Sequence, residues 1–152
     1  MKKLKCYVLM LSKSFPSKHP RSGQATCFFD AITNGEKIHT IRANYKLWKK
    51  RIDDVNKGVA YISVREWINE PYKSKQYELF KMEKGALCDP SIQELNFRDG
   101  NIHNPVIGNS SRSFYELAEN DGLSWDDFNA WFKGYNLTET LAIIHFTNFK
   151  YS

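Results

Sequence analysis

Apolar and polar positions divide the chain into short blocks. Residues 4–11 centre on Tyr7, Val8 and Leu9 and predict a strand, and a polar, basic stretch at 12–23 predicts a loop. Ala25, Phe28, Phe29 and Ile32 recur at helical spacing over 25–34, and Asn34-Gly35 stops that helix. Residues 37–42, KIHTIR, predict a strand entered through a turn, with an irregularity near Lys37 because Ile38 and Ile41 do not alternate. A second helix over 45–55 places Trp48 and Ile52 on one face. Strands follow at 59–65 and 76–82, separated by a loop or hairpin region in which Pro71 excludes a central strand. Short strands near 92–97 and 102–107 flank the turn signal Arg98-Asp99-Gly100-Asn101. Helices are expected over 112–120 and 124–133, the second capped by Ser124 with Asp127 at its third position, before a last apolar strand over 141–149.

About six strands and four short helices are too few regular strand–helix units for a doubly wound sheet. The expected class is α+β, a small β-barrel or strongly curved mixed sheet decorated by helices, in a single domain over residues 1–152. No internal repeat is visible. The predicted core takes in Trp48, Trp125 and Trp131.

Charge adds an asymmetry. The chain carries a formal +5, but residues 1–80 hold 16 Lys and Arg against 7 Asp and Glu, and residues 81–152 hold 6 against 10. The basic half interleaves cations with rings. Lys37, Arg42, Lys49, Lys50 and Arg65 are candidate phosphate contacts, and Trp48, Trp67 and Tyr72 are candidate stacking platforms. Three cysteines, Cys6, Cys27 and Cys88, form no close pair, so a disulfide framework or structural zinc site is not expected, and the natural reading is three buried thiols in a reducing compartment. Four scattered histidines suggest no metal or cofactor. The six-residue apolar run after the basic start is too short for a signal peptide or a membrane span, so a cytoplasmic protein with no membrane partner is expected.

The densest chemistry lies in Lys37, Thr40 and Arg42. In an extended strand Thr40 and Arg42 point the same way, and Lys37 at the turn can fold back toward them. Crowded cations depress a lysine pKa toward base strength and hold an anion or carbonyl oxygen.

The stretch Gly35-Glu36-Lys37-Ile38-His39-Thr40-Ile41-Arg42, together with Asp121-Gly122-Leu123 and the helix around Trp125 to Phe132, resembles the ASCH domains of the PUA-like superfamily, of phage and bacterial type. The segment 63–76 looks like an insertion in such a domain. The resemblance implies a small barrel whose cleft binds RNA, a modified base or a nucleotide. One branch of similar proteins comprises bacterial amidohydrolases acting on acetylcytidine. There the matching lysine and threonine are catalytic, with an acidic group whose counterpart is Asp121, an aspartate where that branch carries a glutamate.

Three functions follow as expectations. The first is binding of RNA, single-stranded nucleic acid or a nucleotide in a basic cleft around Lys37, Thr40 and Arg42. The second is amidohydrolysis of a modified nucleoside, with Lys37 as base, Thr40 as nucleophile or water-positioning group and Asp121 as proton shuttle. The third is a protein-interaction role centred on Trp67, Pro71 and Tyr72.

Overall fold

The computed structural model describes residues 3–86 and 89–152. Two sheets share the core. In the first, β1 (Lys5–Met10) lies parallel to β3 (Ala60–Trp67), and β3 pairs antiparallel with β4 (Gln76–Met82). Tyr7 and Leu9 of β1 and Ala60, Ile62 and Val64 of β3 point alternately into the core, and Ser63 on the opposite face is buried as well. Register slips once, beside Val64 and Arg65, where Leu79 of β4 has no opposite residue.

The second sheet is built on β8 (Leu141–His145), whose five residues are all buried. On one side β8 pairs antiparallel with β2 (His39–Arg42), and on the other with β5 (Ser91–Phe97). Beyond β5 lie β6 (Pro105–Ile107) and β7 (Ser110–Ser111). The parallel β1–β3 pair needs a long crossover. That crossover contains α1 (Phe28–Thr33), β2 and α2 (Tyr45–Asn56). Trp48, Ile52 and Val55 of α2 bury against β3, β5 and β8, so this helix joins the two sheets. The helix pair α3 (Phe114–Asn120) and α4 (Trp125–Trp131) packs together through Leu117, Ala118 and Phe128.

The barrel is not formed. The strands number eight among the described residues, and closure requires every strand to have two ladder partners. Strands β1 and β4 pair only with β3, β2 only with β8, and β7 only with β6. The fold is α+β with two open sheets and four helices.

Other expectations shift locally. Lys37 lies outside β2 because its N–H, with that of Glu36, bonds Ala31 O at the end of α1. Strand β3 runs on through Trp67, and the last strand stops at His145. Cys6 and Cys27 are exposed rather than buried, while Cys88 lies outside the described residues. Trp125 is half exposed, packed on Tyr115 rather than in the core. No helix among the described residues is long and apolar enough to cross a membrane.

Candidate functional site

Lys37 and Asp121 meet where the end of α1 faces the end of α3. Residues 34–36 turn the chain, with Gly35 at φ 75°, and Lys37 forms an isolated antiparallel bridge with Asp121. Asp121 is the C-cap of α3, so its backbone carbonyl is open to a partner, and Lys37 Nζ donates to it at 2.7 Å. Asp121 Oδ1 accepts from the same amine at 3.3 Å, and the Phe28 ring lies 4.4 Å from Nζ. Gly122 is what lets the lysine stem pass: at φ 79° it has no side chain, and a Cβ there would sit 2.9 Å from Lys37 Cβ.

Behind this pair the polar chain continues into the interior. His39 Nδ1 lies 3.2 Å from Asp121 Oδ1, and His39 Nε2 lies 2.7 Å from the Tyr151 hydroxyl, which also accepts from Asn120 Nδ2 at 3.0 Å. An ionised carboxylate only accepts, so His39 carries its proton on Nδ1 and Tyr151 donates to Nε2. Burial pushes the His39 pKa down, holding the ring neutral, and burial pushes the Tyr151 hydroxyl up, keeping it a donor.

Burial also lowers the Lys37 pKa; Asp121 opposes that shift and the nearby Arg42 guanidinium adds to it. Thr40, itself buried, shares with Lys37 and Asp121 a recess of about 10 Å³ walled by Ser12, Arg42 and Trp131. That volume holds about one water. Arg42 donates from Nη2 to Met10 O at 2.6 Å, and its buried Nε has no partner.

Ser12 and Arg42 also line a much larger cleft of about 770 Å³. One wall is the 12–23 loop with Lys13, Ser14 and Ser22, and the other is the end of β3 with the following turn, carrying Trp67, Asn69 and Tyr72. The Trp67 and Tyr72 rings lie 5.3 Å apart, and Tyr72, at φ 63°, is 90% exposed. The loop is anchored rather than slack. Phe15 and Gly23 pair across it, and buried His19 spans its turn, its Nε2 3.1 Å from Asp127 O while Nδ1 accepts from Arg21 N.

The predicted residues therefore divide. Lys37, Thr40, Arg42 and Asp121 share the recess; Arg42, Trp67 and Tyr72 share the cleft. The others lie elsewhere. Trp48 is buried in the core beneath Arg51. Lys49 and Lys50 pair with Asp53 and Asp54 one helical turn along α2, at 2.7 and 3.0 Å. Arg65 is held on the outer face of the first sheet by Ser63 and Gln76. Sequence reading missed His39, Tyr151 and Ser12. Only His39 left a signal, standing two residues from Lys37 and so on its side of an extended chain. Among the described residues no group of three or more His, Cys, Asp or Glu is placed to hold a metal ion.

No family model, curated protein or solved structure matches the chain.

Proposed function

We propose that the protein binds a nucleotide unit of RNA or single-stranded nucleic acid in the cleft beneath the 12–23 loop. The observation that carries this reading is the wall composition of the cleft: an aromatic pair on one side, a hydroxyl-rich loop on the other, and the Arg42 guanidinium among the lining residues. Its volume suits a nucleotide-sized ligand. A base stacks on Trp67 and Tyr72, and its phosphate meets Arg42 and the loop hydroxyls. Calorimetric titration with the four nucleoside 5′-monophosphates at low salt tests this. Binding should weaken about tenfold or more in Trp67→Ala and in Arg42→Gln, and should weaken with added salt. Failure of all four to bind at millimolar concentration, or binding indifferent to both substitutions, rejects the reading.

The recess favours one further reading, hydrolysis of an acetylated nucleoside. Its support is the meeting of Lys37, Thr40 and Asp121 beside the cleft, with burial lowering the lysine pKa. In this scheme Lys37 takes a proton from the Thr40 hydroxyl or from a water in the recess. The freed oxygen attacks the amide carbonyl while Arg42 meets the developing oxyanion, and collapse of the adduct breaks the C–N bond as Lys37 returns its proton to the departing base nitrogen. Attack by water gives acetate directly, whereas attack by Thr40 leaves an acetyl ester that a water, deprotonated by Lys37, then hydrolyses to acetate and free Thr40. Acetate release from acetylcytidine that is lost in Lys37→Ala supports it, and no release above that control rejects it.

A further inference from the structure

The 12–23 loop has a groove on each side. Opposite the cleft just described lies a second groove of about 730 Å³, between the same loop and the end of α4. Pro16 and Ser17 line both, so a single ridge separates them. The second groove repeats the chemistry of the first. It offers the rings of Trp131 and Tyr135, the amide of Asn129, and two lysines, Lys18 and Lys133.

The charges are unspent. Lys18 and Lys133 are exposed and make no ion pair with any described residue. Among the described residues no acidic side chain lines the second groove, and the one lining the first, Glu70, lies 3.8 Å from Lys73. This differs from α2, where Lys49 and Lys50 are neutralised by their own helix. Two ring-lined grooves that both carry cations, with unpaired lysines in the second, joined over one ridge, form a repeating surface, and a ligand that repeats rings and anionic charge at a short period fits it. A single-stranded nucleic acid has that repeat.

Resting on the nucleotide reading of the first cleft, we infer that the second groove is an adjacent subsite for the same strand. The strand crosses the ridge at Pro16 and Ser17, with one base in each groove and intervening phosphates near Lys18 and Lys133. The ligand class is thereby an oligonucleotide rather than a free mononucleotide. The held turn around His19 keeps the ridge in place for that crossing.

The test compares mixed-sequence RNA and DNA hexamers with nucleoside monophosphates, using wild type and the double variant Lys18→Gln, Lys133→Gln. Both substitutions are at exposed, unpaired side chains, and unchanged thermal unfolding confirms the fold. Wild type should bind a hexamer at least about tenfold more tightly than a monophosphate. The double variant should lose most of that advantage, leave the Trp67-dependent monophosphate binding of the first cleft unchanged, and lower the log–log salt slope for the hexamer by about 1.4. Monophosphate binding with no gain for hexamers, or a hexamer affinity and salt slope untouched by the double variant, overturns this inference and leaves the nucleotide reading standing. No binding of either ligand overturns both.

Discussion

Acid should destabilise this protein through its buried histidines. His145 is 1% exposed, at the end of β8, with Nε2 2.8 Å from Gln93 Oε1 and no partner at Nδ1. That amide oxygen only accepts, so the proton sits on Nε2, and charging the ring would place an unpartnered N–H in the core. Burial, helped by His39 and Lys150, pushes its pKa down from 6.5 to about 3. A base whose pKa falls on folding leaves the unfolded chain holding more protons than the native one, so stability falls as pH drops through 6.5 and levels off only below about 3. At pH 5 the loss relative to pH 8 is about 2 kcal/mol from this residue alone, or about 4–8 °C in Tm for a chain of this size. His39, whose pKa burial also lowers from 6.5, acts in the same direction over this range. Replacing His145 by Gln keeps an N–H for Gln93 and removes the titration. Urea unfolding at pH 8 and pH 5 should show the acid loss shrinking by about 2 kcal/mol in His145→Gln. An equal loss in wild type and variant would mean that His145 is protonated in the native state, refuting the assignment of a neutral ring.

Further measurements address the frame of the site. Gly122→Ala should cost about 2–4 kcal/mol in urea unfolding, combining a left-handed backbone with a clash against the Lys37 stem, whereas Gly35→Ala, also at positive φ but with open space around it, should cost only about 1 kcal/mol; equal losses would remove the clash from the account. Ser124 and Ser113 each cap a helix by accepting from the third residue of that helix, so either serine changed to Ala should lower stability by about 1 kcal/mol in thermal unfolding, and a change below about 0.3 would deny the cap.

Local chemistry was legible where it decides structure alone. Ser124 with Asp127 announced the start of α4. The nearness of Lys37, Thr40 and Arg42 was legible from their spacing, whereas Asp121 was implied only by the resemblance to ASCH domains. Pairing between distant strands was not. Nothing in KIHTIR says that β2 finds its partner in LAIIH, and nothing local forbids the edges of the two sheets from joining. The fate of the cations was equally hidden. Whether Lys49 and Lys50 face a ligand or Asp53 and Asp54 depends on helical phase, which α2 settles in favour of its own acids. Tyr151 reaches His39 only because the chain after β8 returns to the sheet, a path that no motif encodes.

The placement of β2 also sets the order in which the site can exist during synthesis. Its ladder partner among the described residues, β8, is made about a hundred residues later, which at ribosomal rates is roughly 5–20 s. For most of that interval Lys37, His39 and Thr40 lack Asp121, which emerges about eighty residues behind them, and throughout it they lack Tyr151, while the strand waits as an unpaired edge. Its brevity, four residues ending in Arg42, limits what it can recruit meanwhile. The recess is therefore a late product of translation, completed only when the last strand slots in between β2 and β5.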